Sequence, residues 1–391
     1  MLDTIYLHIG SHKTGTSSIQ SFLRNNVDIL IKKYDLTYYT PAIWPLKFIE
    51  RKPDVDLRLD GFNSLKGIKT NRVIISHENY SWLSNAEDLK ALHNKLMNYA
   101  ESVKIIVYLR RQDSLAISQK QEGTKWLDNS VAYGHEISAL PTKLTSYASH
   151  YLDFYSRVEK WASAFGEENI IIKLFQTDTL LNGDVVDDFL NVLNISAKDN
   201  GFKSVGRVNE SLSKSKQVFL HQTRPYFLDG SSEKKLLVEK ILKLQLAGEK
   251  EKLLPSRIMA KRFYEQFKDG NRRLNKKYKI SEYDDLFADD FNMYSTNLCV
   301  EKPLSTNEII ELFSYVLKDI SEEIQEQESY NNDPRSIAYW LRDIALSIED
   351  ENVMLAMKIM LKARKLNPKG KFINQKINEY KKVRIKEITE S

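Results

Sequence analysis

The residues with the most chemistry in this chain are a lysine set among hydroxyls and glycines. Gly10, Ser11, His12, Lys13, Thr14, Gly15, Thr16, Ser17 and Ser18 follow one another directly. Glycines let a backbone approach a ligand closely, and the N–H groups of a first helical turn attract an anion. Lys13 adds a full positive charge, and Thr14, Thr16, Ser17 and Ser18 add hydroxyl donors. Such a set binds a phosphate-like group; a polar turn without a ligand is the bland alternative.

Two further constellations lie downstream. His77 and Glu78 are adjacent, and either side chain can take a proton from a hydroxyl. Arg110 offers a planar fork of donors to phosphate oxygens, and Ser118 adds one directional hydroxyl. Arg111 is a second cation whose alternative reading is a solvated surface arginine.

The surrounding residues predict the elements that position these groups. Ile5 to His8, Val73 to Ser76, Ile105 to Leu109 and Ile170 to Leu174 are short runs rich in apolar and β-branched residues, as buried strands are. Ile19 to Leu23 and Leu115 to Gln121 have helical character. Each candidate group therefore falls at the C-terminal end of a strand or in the turn after it. In open α/β sheets ligands gather at that edge. Tyr151 to Gly166 reads as one amphipathic helix ended by glycine, and Asp184 opens another. Trp161, Phe165 and Phe189 read as core.

A nucleotide-triphosphate P-loop carries lysine directly after its second glycine. Here Thr16 follows Gly15, and the lysine stands two residues before that glycine. Ser11 to Ser17 instead resembles the 5′-phosphosulfate loop of sulfotransferases that use 3′-phosphoadenosine 5′-phosphosulfate (PAPS). Arg110 with Ser118 is similar to the 3′-phosphate clamp of that family. The resemblance runs from Tyr6 to about Phe291, with sharp motifs only in the first third. It implies a P-loop-like, doubly wound α/β fold with a mostly parallel central sheet flanked by helices. It also implies that His12, Lys13, Thr14, Gly15, Thr16, Ser17, Arg110 and Ser118 hold PAPS, with no metal. Glu78 is the first choice as base, because carbohydrate-modifying members look similar there, and His77 is the second. A basic loop that closes on the 3′-phosphate is expected near Gly206 to Ser213, which makes Arg207 and Asn209 candidates.

The second half of the chain is helical and more charged. Apolar residues recur at helical spacing over about 231–280, with Pro255 as a helix start. The expected division is an α/β domain over 1–295 and an all-helical region over 296–391. Within the latter, 333–370 resembles one tetratricopeptide-like repeat; a helical hairpin packed as a cap is the plainer reading. Lys362, Arg364, Lys365, Lys369, Lys371, Lys376, Lys381, Lys382, Arg384 and Lys386 face only Glu379, Glu387 and Glu390. That surface suits peripheral association with an anionic membrane, or an acidic polymer, or is a solvated helix face.

Across 391 residues, 58 basic and 53 acidic side chains leave a net charge of +5. No nucleic-acid-binding motif accompanies this small excess, so a DNA or RNA binder is not expected. Cys299 is the single cysteine, so no intramolecular disulfide forms. With neither a signal-peptide pattern nor a membrane-spanning apolar run, a cytoplasmic protein is expected. The expected function is sulfuryl transfer from PAPS to a hydroxyl of a carbohydrate or glycolipid acceptor, such as a surface polysaccharide or its precursor. The alternative is a non-catalytic nucleotide-binding protein whose C-terminal helices engage a partner. Trp44, Phe48 and Trp126 are candidates for stacking on a sugar ring.

Overall fold

Side chains on a strand alternate between two faces, and a sheet covered on both sides needs apolar residues on each. Four chain segments meet that requirement. In a computed structural model of the chain they form β1 (Leu2–His8), β5 (Arg72–Ser76), β6 (Ala100–Leu109) and β7 (Ile170–Leu174). A short strand, β2 (Leu36–Tyr38), completes a five-stranded sheet in the order β2-β5-β1-β6-β7. Every pairing in it is parallel. β2 was not expected, because three residues are too few to show periodicity. A separate antiparallel pair joins β3 (Leu46–Phe48) to β4 (Val55–Leu57). The structure describes residues 1–41, 46–48, 55–126, 133–134, 136–198, 201–203, 212–223, 232–244, 251–297, 302–327, 334–349 and 352–389.

The alternation is visible in the two cores. Ile5, Leu7, Val73, Ile75, Ile105 and Val107 face one layer with α3 (Ala86–Met97) and α6 (Phe154–Phe165). Ile74, Ile106 and Tyr108 face the other, packed on Ile19, Phe22 and Leu23 of α1 (Thr16–Asn25) and on Phe189 and Leu190 of α7 (Val185–Val192). Helices on both faces and a parallel sheet make the doubly wound α/β architecture. From β1 the chain runs outward to β2, returns to β5, and crosses to β6 on the other side. The strand order therefore reverses around β1, and a crevice opens at its C-terminal end. The remaining helices of this half include α2 (Val27–Tyr34), α4 (Gln112–Trp126), α5 (Ser146–Leu152), α10 (Arg257–Glu265) and α11 (Lys268–Tyr278).

The single helix expected over 151–166 is two. Asp153 ends α5 and caps α6, its carboxylate accepting the Ser156 N–H at 3.0 Å. An aspartate that takes up an orphan N–H starts a new helix there. Trp161, Phe165 and Phe189 are core, as expected.

The chain divides into two units. One comprises residues 1–124, 128–211 and 254–300 and contains the sheet. The other comprises residues 125–127, 212–253 and 301–391. It is helical: α8 (Lys214–Thr223), α9 (Ser232–Lys243) and α12 (Thr306–Gln327) share one core around Phe219, Ile241 and Val316. α13 (Pro334–Ile348), α14 (Val353–Leu366) and α15 (Lys371–Thr389) share a second around Ala345, Met360 and Ile377. The helical stretch 231–280 is thus split. α9 packs with the C-terminal helices, whereas α10 starts behind the Ser256 cap and packs in the sheet unit. No described helix is long and apolar enough to cross a membrane.

Candidate active site

β1 does not stop pairing at its end. Ile9 N–H donates to Ile106 O and Ser11 N–H to Tyr108 O, so the loop after β1 is held on β6. Gly10, at φ 92°, lies so close to the next strand end that a Cβ would sit 3.1 Å from the Glu78 Cα. Gly15, at φ 78°, is the N-cap of α1, and a Cβ there would meet Val185 Cγ1 at 2.7 Å. Both glycines are required by approach as well as by backbone angle. The loop thus presses on two neighbours at once.

Within it, Thr14 Oγ1 donates to Ser11 O at 2.6 Å and Thr16 Oγ1 does so at 3.3 Å. These hydroxyls shape the loop, whereas Ser17 is exposed and Ser18 half-buried. Lys13 Nζ pairs with Glu122 of α4 at 3.1 Å. Arg110 reaches across from the end of β6 and donates to the Lys13 carbonyl at 3.1 Å. His12 is pinned from α5: its N–H donates to Tyr151 Oη at 2.9 Å, and its Nδ1 lies 2.8 Å from the same oxygen. Arg157 of α6 donates to Ser11 Oγ at 2.8 Å and lies over the Tyr151 ring. Ser11, His12, Lys13 and Arg110 are thus brought together at one sheet edge.

The His77–Glu78 pair directly follows β5, beside this loop. Asn79 N–H donates to His77 Nδ1 at 3.1 Å, so that histidine caps the turn that follows. Burial lowers its pKa against the raising effect of Glu78. Its basic nitrogen is engaged. Glu78 instead accepts from Gln20 Nε2 at 3.2 Å. Burial acts to raise its pKa, but His12 and His77 outweigh that and hold it below the usual carboxylate range. The carboxylate is ionised at neutral pH.

Next to the loop is a cavity of about 950 Å³. Its polar wall includes Gly15, Ser18, Arg110, Arg111 and Ser114; its apolar wall includes Phe22, Phe175, Leu180, Val185 and Phe202. Asp184 and Asp187 also line it. That volume and mixed lining suit a nucleotide-sized ligand. Arg111 is not a solvated surface arginine: it is buried, bonded to Asp113 at 2.8 Å and stacked 4.1 Å from the Phe291 ring. Ser118 is half-buried on α4 and is not among the lining residues, whereas Ser114, one turn earlier, is. Sequence reasoning missed Ser114, although it shares a helical face with Ser118, and missed Gln20, Asn79, Glu122 and Phe175. Tyr151 and Arg157 gave no signal beyond the amphipathic helix expected over 151–166. Arg207, Asn209 and Trp44, and the side chains of Phe48 and Trp126, lie outside the described residues. Among the described residues no group of three or more His, Cys, Asp or Glu is placed to hold a metal ion.

Comparison with known proteins adds little. No protein-family profile matches the chain. An uncharacterized protein of Archaeoglobus fulgidus is 26% identical over 208 residues, covering 53% of each chain, so the chain spans about half the length of that curated relative. A sulfotransferase from Alicyclobacillus acidocaldarius matches at a TM-score of 0.35 and 14% identity, over 55% of this chain and 89% of that one. Mouse sulfotransferase SULT7A1, complexed with PAP, matches at 0.30 and 15%, over 72% and 86%. Likenesses at such TM-scores assign no function.

Proposed function

We propose that this protein transfers a sulfuryl group from PAPS to a hydroxyl of a carbohydrate or glycolipid acceptor. The observation that carries the reading is the meeting of three groups at one sheet edge. Lys13 and Arg110 are joined through the Lys13 carbonyl, and Glu78 lies in the turn after β5, against Gly10. The phosphosulfate-loop pattern of Ser11 to Ser17 supplies the chemical class.

The acceptor oxygen attacks sulfur in line, forming a new S–O bond. The bond from sulfur to the 5′-phosphate oxygen breaks, and adenosine 3′,5′-bisphosphate (PAP) leaves. Glu78 takes the acceptor proton, and Lys13 stabilises charge growing on the departing phosphate. For that, Lys13 exchanges its Glu122 partner for the nucleotide. His77 is the weaker candidate for base, since its Nδ1 already accepts a backbone N–H. The carbohydrate acceptor, cytoplasmic location and attachment of the basic C-terminal helices to an anionic membrane belong to the same proposal.

Thermal stabilisation tests it. PAP is expected to raise the melting temperature well above the effect of ATP, which lacks the 3′-phosphate. Arg110→Ala is expected to remove that preference, because a charged donor to phosphate contributes about 1.5–3 kcal/mol. Equal stabilisation of the unmodified protein by both nucleotides would overturn the assignment.

A further inference from the structure

Arg111 lines the cavity beside Arg110, yet its donors are directed into the protein. Nε and Nη2 donate to Oδ1 and Oδ2 of buried Asp113 at 2.8 and 2.9 Å. Nη1 donates to the carbonyl of Ala288 at 3.3 Å and to that of Asp290. All three nitrogens are engaged, and the guanidinium lies 4.1 Å from the Phe291 ring. A guanidinium is a rigid fork that only donates, so such a set of partners fixes whatever it bonds.

What it bonds is a stretch of chain without regular structure. Residues 279–297 form neither helix nor strand, so side chains must supply what a backbone ladder would. Tyr294 Oη donates to Asp113 Oδ2 at 2.7 Å. Tyr264 of α10 donates to Asp285 at 2.7 Å, and Asn275 of α11 donates to the carbonyls of Ser281 and Tyr283. Ala288, Asp290 and Met293 of this stretch line the cavity, and Met293 is exposed. A wall held largely by side-chain bonds is as firm as those bonds. Having it in place beforehand lowers the ordering cost of binding.

We propose that Arg111 is a positioning residue and not a phosphate ligand: with Asp113 and Tyr294 it fixes residues 288–293 as a wall against which the nucleotide rests. This rests on the sulfotransferase reading for the identity of the nucleotide. It adds a determinant of affinity that lies outside the phosphate-binding loop. The wall meets PAP and adenosine 5′-phosphate alike, whereas Arg110 tells them apart by the 3′-phosphate.

The test needs no acceptor. Calorimetric affinities for PAP and for adenosine 5′-phosphate are compared in the unmodified protein, Arg111→Met with Asp113→Asn, Tyr294→Phe, and Met293→Ala. Changing Arg111 and Asp113 together avoids leaving a buried carboxylate without its partner. Met293 is exposed, so its replacement leaves the fold intact. The double variant and Tyr294→Phe are each expected to weaken both nucleotides by the same factor, roughly three- to tenfold, as for a lost hydrogen bond. Met293→Ala is expected to weaken both by less. Hydrogen exchange of the 286–294 amides is expected to be slowed by PAP in the unmodified protein and to be faster in Tyr294→Phe. Faster exchange with both affinities unchanged would reduce the network to a structural role and overturn the proposal. A loss confined to PAP in the Arg111 variant would make Arg111 a phosphate ligand and overturn it too. If the double variant does not fold, Tyr294→Phe decides by the same criteria. An unmodified protein that binds neither nucleotide overturns the sulfotransferase reading instead, so the two failures are distinct.

Discussion

At the scale of single residues, Glu78 and His77 divide two tasks between adjacent positions. Both lie just beyond β5, where His77 caps the short helical turn that Glu78 begins, and Glu78 accepts from Gln20 instead. Glu78→Gln keeps the shape and removes only the basicity. Turnover is expected to fall about 10²–10⁴-fold, the range for a lost general base, with PAP affinity little changed. His77→Ala is expected to cost about 1 kcal/mol of stability, as lost caps do, and less than tenfold in turnover. A reversed pattern in steady-state kinetics would make His77 the base. A second residue effect concerns His8, which is fully buried with Nδ1 2.8 Å from Ser76 Oγ. Burial pushes its pKa from 6.5 down to about 4, only partly opposed by Glu78. The unfolded chain therefore binds a proton more readily than the folded one between those values. Stability is full above about pH 6.5 and falls by about 3 kcal/mol toward pH 4 through this group alone. Denaturant midpoints across that window should fall more gently in His8→Asn; identical slopes would show that His8 is not responsible.

At the scale of elements, the site depends on how closely one turn approaches the next. Gly15 starts α1 with a left-handed angle and touches Val185 at the start of α7. Gly15→Ala is expected to cost about 1–3 kcal/mol, from the backbone angle and the collision together. Adding Val185→Ala should return the collision part and leave the angular part, a separation that a double-mutant cycle measures. Full recovery would mean that the angle carries no cost. The same junction lines the cavity, so Gly15→Ala should also weaken PAP.

At the scale of the whole molecule, two units each enclose their own cores. Multidomain chains commonly unfold in more than one step. Calorimetry is expected to resolve two transitions, and PAP should raise the one that belongs to the sheet unit. At a hundred times its dissociation constant a ligand contributes about 2.7 kcal/mol, enough to shift that transition visibly. A single transition that moves as a whole would show that the units unfold together.

Features local in chain and chemistry were legible in the residues alone. Four of the five sheet strands were legible because buried strands need runs of apolar residues, and their observed bounds enclose the expected ones. The loop between β1 and α1 was legible because glycines, a lysine and hydroxyls follow one another directly there. Tertiary structure alone decided the rest. β2 is a strand only because β5, about 35 residues on, offers Arg72 to Ile74 as partners. α9 joined the C-terminal helices because its apolar face meets Phe313 and Val316, which no local pattern announces. Lys13 finds Glu122, His12 finds Tyr151 and Ser11 finds Arg157 across more than a hundred residues. Such contacts follow from the order in which strands enter the sheet. Periodicity encodes which face a residue presents, but only topology decides what it faces.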